Sequence, residues 1–127
     1  MMLDDIAAYL ATKGIGTVGV NIFEGSRPAT PNQLVAVYQY AGEVPALVYG
    51  VKMEYPGLQV WSRATSEPVA IQLLDKVVDA LHGLSEYSTN YARYLCIEAR
   101  SSPMDMGADA NGRLEYVVNF RVIMARS

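Results

Sequence analysis

The sequence predicts an α+β domain: a mixed, largely antiparallel sheet of four to five strands packed by two main helices. Three observations predict it. Residues 66–84 repeat apolar side chains at helical spacing. Leu114–Ala125 alternates apolar with polar side chains. The second half reads as strand, helix, strand, glycine-rich loop and long strand. The chain of 127 residues forms one domain, residues 1–127, long enough to bury a core without metal or disulfide.

Met2–Lys13 is predicted as the first helix. Leu3, Ile6, Ala7 and Leu10 share a face, Asp4 and Asp5 sit at the positive end, and Lys13-Gly14 supplies the stop. Thr17–Phe23 is predicted as a first strand, with Val18, Val20 and Ile22 on one face. Gly14, Gly16 and Gly19 follow a helix rather than a strand, which argues against a phosphate-binding loop. Gly25, Pro28 and Pro31 make Glu24–Asn32 a loop. Gln33–Tyr40 is a second strand, apolar on both faces: Leu34, Ala36, Tyr38 and Tyr40 on one, Val35 and Val37 on the other. Ala41–Pro56 is too hydrophobic for a solvated loop. It reads equally as a short hairpin, an arm that packs on a neighbour, or a loop over its own core.

Leu58–Arg63 runs as a strand into the second helix. Ser66 is the predicted N-cap and Pro68 fits the first turn. Ile71, Leu74, Val78 and Leu81 form its stripe, widened by Ala70 and Val77, and Gly83 caps the end. Ser85–Tyr91 reads as a turn. Tyr94–Arg100 alternates, with Leu95, Ile97 and Ala99 opposite Tyr94, Cys96, Glu98 and Arg100. Ser101–Arg113 is a loop in which Asn111-Gly112 reverses the chain. The last strand places Leu114, Tyr116, Val118, Phe120, Val122 and Met124 on one face. The other is mixed: Glu115, Val117, Asn119, Arg121 and Ile123.

Composition narrows the function. Hydrophobic residues make up 51% and charged residues 18%, apolar for a small chain, so part of the surface is expected to be covered by a partner. No apolar run is long enough for a membrane span, and Asp4 and Asp5 are unlike the basic start of a signal peptide. The net charge is −3 with scattered arginines, the opposite of a basic stripe for nucleic acid; arginines lining a pore would escape that test. Cys96 is the only cysteine, so no internal disulfide forms.

Catalytic and metal-binding sets are not expected. The sole histidine, His82, falls in the last helical turn, where a cation suits the helix dipole. Cys96 lies on a different element. Asp109, Asn111 and Gly112 faintly suggest a calcium loop, but Gly107 and Val118 then occupy its first and last ligand positions. Glu98 and Glu115 have Arg100 and Arg121 nearby as cross-strand ion partners. We therefore expect no enzyme, no cofactor and no metal.

The order of these pieces resembles the tail terminator or minor capsid proteins of long-tailed bacteriophages and prophages. The resemblance covers nearly the whole chain. It is carried by the N-terminal helix with Gly14-Ile15-Gly16-Thr17, by Ile22-Phe23-Glu24-Gly25, and by Tyr55–Arg63 with the helix ending Asp79–Leu84. Ser102-Pro103, Gly107–Arg113 and Asn119-Phe120-Arg121-Val122 complete it. It implies a sheet flanked by helices. It also implies a virion structural protein, made in the bacterial host cytoplasm and sited at the head–tail junction. Partners would be copies of itself in a ring, commonly of six, the tail-tube protein and the head connector protein, with no membrane and DNA only passing through a pore. Two other readings stand beside it: a head-completion or neck protein, and a small-ligand or peptide-binding domain. Candidate interface residues are Val48, Tyr49 and Val51 for apolar attraction, Glu115, Asn119 and Arg121 for polar register, and Arg113 in the glycine-rich loop.

Overall fold

The computed structural model describes residues 1–44 and 53–126. Two helices, α1 (Met2–Thr12) and α2 (Glu67–Leu81), lie against one mixed sheet. Its strands are β1 (Ile22–Glu24), β2 (Leu34–Glu43), β3 (Met53–Ala64), β4 (Tyr87–Ser88), β5 (Ala92–Ala99), β6 (Met104–Ala108) and β7 (Leu114–Arg126). The order is β1-β2-β3-β7-β5-β4, and β6 also pairs with β7. Only β1–β2 is parallel. The α+β class and the two helices match expectation. Among the described residues the sheet has seven strands instead of four to five. The additional ones, β4 and β6, span two and five residues inside stretches that read as turn and loop, too short to show a period of two.

The long strand β7 organises the sheet. β3 lines one edge of it; β5 pairs the C-terminal part of its other edge, and β6 pairs the N-terminal part. Its face carrying Tyr116, Val118, Phe120, Val122 and Met124 is buried, together with Leu58 and Val60 of β3 and Val35 and Val37 of β2. Both helices cover this face. α1 contributes Met2, Leu3, Ile6, Ala7 and Leu10; α2 contributes Ala70, Leu73, Leu74, Val77 and Leu81. The α2 stripe is thus rotated from the expected one: Leu73 is buried, while Ile71 and Val78 are half-buried at its margin. Burying its four large side chains contributes roughly 6–12 kcal/mol before entropy is subtracted.

Polar pins fix the helices to the sheet. Ser62 Oγ donates to the Ala70 carbonyl (2.8 Å) from a fully buried position. Asp5 Oδ2 accepts from Thr89 Oγ1 (2.7 Å) and from the buried Tyr94 hydroxyl (2.6 Å). Burial pushes the Tyr94 hydroxyl far above its ordinary pKa, and the bond to Asp5 adds to the shift.

Three other expectations change. Val18 and Val20 are exposed, because Thr17 accepts main-chain bonds from Val20, Asn21 and Ile22 and turns the chain; the strand begins only at Ile22. In β5 the register shifts between Tyr94 and Cys96, so one residue is extra. That bulge puts Tyr94 and Ile97 both in the core, where strict alternation would separate them. Finally, β2 continues to Glu43 and β3 begins at Met53, so both ends of Ala41–Pro56 belong to strands.

Candidate assembly surface

Among the described residues, the second face of the sheet carries no helix. Its side chains line up in rows fixed by the strand register: Leu34, Arg63 and Glu115; Ala36, Trp61, Val117 and Met104; Tyr38, Gln59 and Asn119; Tyr40, Gly57, Arg121 and Glu98. Two different environments divide these rows.

The proline-containing loop between β1 and β2 folds over the first rows and is held there by arginines. Arg63 is 2% exposed and donates through Nη2 to the carbonyls of Pro28 and Pro31, both at 2.6 Å. Arg113 is 6% exposed; its Nε donates to Asp109 Oδ2 (2.8 Å) and its Nη1 to the Ala29 carbonyl. Arg27 stacks on Trp61, 3.7 Å from the ring centroid, and pairs with Glu115 at 3.0 Å. The loop is thus held by charged donors on its carbonyls, among the stronger hydrogen bonds a protein makes. Burial, with Arg113 alongside, pushes the Arg63 guanidinium below its usual pKa against the pull of Asp109 and Glu115. Burial also works against the Asp109 carboxylate. Hydrogen bonds from the Arg113 and Asn111 N–H groups and from the Arg113 side chain outweigh it, so Asp109 titrates below the ordinary carboxylate range.

Among the described residues, the remaining rows have no such cover. Gln59 Nε2 donates to Asn119 Oδ1 (3.1 Å), and Trp61 Nε1 donates to Gln59 Oε1 (2.6 Å). Arg121 lies between Glu43 (2.9 Å) and Glu98 (3.5 Å), with the Tyr55 ring 5.7 Å away. A shallow groove of about 290 Å³ opens beside it, lined by Tyr40, Gly42, Tyr55, Gly57, Arg100 and Arg121 among others. Close approach requires both glycines: a Cβ on Gly57 would meet the Tyr40 ring at 2.5 Å, and one on Gly42 would meet the Tyr55 carbonyl oxygen at 1.8 Å.

Glu115, Asn119 and Arg121 therefore do share one face of β7, as alternation requires. They do different things. Glu115 and Arg113 hold the loop and its neighbouring turn, whereas Asn119 and Arg121 stand in the uncovered rows. Val48, Tyr49 and Val51 lie outside the described residues. Sequence reading missed Arg27, Arg63 and Tyr40. The signal for Arg63 was its phase: on β3 it shares a face with Gln59 and Trp61.

No catalytic constellation assembles from the residues considered in the sequence. His82 is the C-cap of α2, and its Nδ1 accepts the Ala99 N–H (2.9 Å). Cys96 is half-buried on β5. Glu98 and Glu115 do not face each other; they pair with Arg121 and Arg27. Asp109, Asn111 and Gly112 form a turn in which Asp109 Oδ1 accepts the N–H groups of Asn111 and Arg113. Among the described residues no three His, Cys, Asp or Glu side chains are placed to hold a metal ion, and no helix is long and apolar enough to cross a membrane.

Comparison with known proteins places this architecture. Residues 9–126 match the family model of the bacteriophage tail terminator protein. That match spans nearly the whole chain, and the chain belongs to this family, whose members are structural proteins of phage tails. Nine chains of solved structures match. One is a chain of the virion of a native gene transfer agent particle, with a TM-score of 0.66 and 12% identity; the alignment covers 94% of this chain and 84% of that one. At that identity the likeness establishes the fold. No curated protein sequence matches.

Proposed function

We propose that this member of the tail terminator family caps the tail tube as a ring of its own copies and joins the tail to the head connector, with no catalytic step. The family match over residues 9–126 carries the reading. The uncovered rows support it physically. They combine aromatic and arginine side chains, which interfaces favour over the rest of a protein surface, with the amides Gln59 and Asn119. Six copies is the number the family resemblance suggests. A ring requires head-to-tail contact between two different surfaces of each copy. Asn119 and Arg121 are the proposed polar register on one of them, and Val48, Tyr49 and Val51 remain proposed apolar contacts. Arg113 and Glu115 contribute by shaping the loop beside that surface.

Removal of the gene from its parent phage tests the reading. Tails should then lack heads and vary in length, and purified protein added to them should restore joining. Tails of uniform length already joined to heads in the absence of this chain would refute it.

A further inference from the structure

The far side of the sheet ends in two strands that are treated oppositely. The outer edge of β5 is closed along its length. β4 pairs with Arg93 and Tyr94, the Ile97 N–H donates to the Leu84 carbonyl (3.0 Å), the Gly83 N–H donates to the Ile97 carbonyl (2.8 Å), and His82 accepts the Ala99 N–H. β6, on the same side, has no main-chain partner on its outer edge among the described residues, and all five of its residues are exposed. Met104 and Met106 are 37% and 51% exposed. An uncovered strand edge is a template for another chain, and proteins normally blunt it.

The opposite side of the sheet carries a second bare edge. β1 covers only Val35–Val37 of β2, and the Gly25 N–H takes the Val37 carbonyl (2.8 Å). From Tyr38 to Glu43 the outer edge of β2 is unpaired among the described residues. One copy therefore offers two complementary strand edges at opposite ends of one sheet, the arrangement that a head-to-tail contact between identical copies needs.

We propose that the ring closes by strand addition, the outer edge of β6 in one copy pairing with Tyr38–Glu43 of the next. Strand direction agrees. β6 and β3 both run antiparallel to β7, and β2 runs antiparallel to β3, so β6 and β2 have opposite directions. Rotation about an axis along the strands preserves direction, so the joint is antiparallel, the slightly more stable pairing. The joint also brings exposed Met104 and Met106 to exposed Tyr40, a sulfur–aromatic pairing of ordinary kind.

This inference rests on the ring reading, and cysteine pairing separates the two. Asp105 and Gln39 share the core-side face of the sheet by register with Tyr116 and Leu58, and Ala41 lies two residues further along the bare segment of β2. In a Cys96→Ser background, Asp105→Cys is combined with Gln39→Cys or with Ala41→Cys and supplied to particles lacking the wild-type chain. Cross-strand pairs lie at disulfide distance. After oxidation of joined particles, one of the two combinations should give a covalent ladder of this chain on a denaturing gel, and each single cysteine should give none. Joined particles whose subunits stay monomeric in both combinations would overturn strand addition while leaving the ring reading intact. Capture of the tube protein by Asp105→Cys would overturn it as well, by naming a different occupant. Hydrogen exchange on the wild-type chain checks the same point without substitution. The amides of β6 and of residues 38–43 should slow on assembly, and unchanged exchange in both segments would contradict the proposal.

Discussion

The two faces of β7 differ in what covers them. On one, Tyr116, Val118, Phe120, Val122 and Met124 are sealed by helices of the same chain. On the other, Glu115 and Val117 lie beside a pinned loop, while Asn119 and Arg121 stand in rows that no described residue covers. The first face folds the subunit. The second is organised by hydrogen bonds and ion pairs; those of Arg121 have exposed carboxylate partners, and such pairs contribute little to stability. The difference teaches that one strand can serve folding and assembly together, provided its two sets of side chains answer to different partners.

Substitutions on the first face should break folding. Phe120→Ala empties a fully buried site and should cost about 3–5 kcal/mol, and Leu74→Ala on α2 about 2–5 kcal/mol, measured by denaturant melts. A loss below about 1 kcal/mol at both positions would mean that this face is not the core, because surface changes stay within about 0.5 kcal/mol.

The loop region lies between these extremes. Arg63→Met removes two short charged hydrogen bonds and should cost roughly 3 kcal/mol, since each such bond contributes about 1.5–3 kcal/mol and the freed carbonyls regain some water. Proteolysis should then cut near Pro28–Asn32 before the rest of the domain. Melting without early cleavage there would show that Arg63 does not hold the loop.

Acid should loosen the same region first. The Asp109 pKa is lower in the folded chain than in the unfolded one. Its contribution is therefore fully present above the unfolded value and lost as pH falls through the folded one. An Asp109→Asn variant should show a shallower loss of stability below about pH 4 than wild type, 4 being near the unfolded carboxylate value. Equal acid slopes for the two proteins would remove Asp109 from this role.

Much of this contrast was legible in the sequence. The alternation of Leu114–Ala125 gave both faces of β7, and helical spacing placed α1 and most of α2. Other features lay beyond periodicity. The β5 bulge breaks the alternation that locates a strand, so alternation sets Tyr94 opposite Ile97 although both lie in the core. Val18 and Val20 imitate a strand, but turn chemistry around Thr17, Gly19 and Asn21 prevails. β6 is polar, short and glycine-containing, and only pairing with β7 makes it a strand. For the candidate surface, spacing placed Glu115, Asn119 and Arg121 on one face. It gave no sign that Arg113 and Glu115 would be engaged by a loop some eighty residues earlier in the chain, as Arg113 is by Ala29.

The smallest expected effect on folding and the most direct test of function meet at Arg121. Charge reversal there would place a third carboxylate between Glu43 and Glu98, so Arg121→Gln combined with Asn119→Ala is the cleaner change. Its exposed pairs predict a stability loss of at most about 1 kcal/mol. The deciding measurement is the titre of phage lacking the wild-type chain when supplied with this variant at matched levels of folded protein. The uncovered face as an assembly surface predicts a variant that melts like wild type yet leaves tails and heads unjoined. Full titre from the folded variant would contradict it.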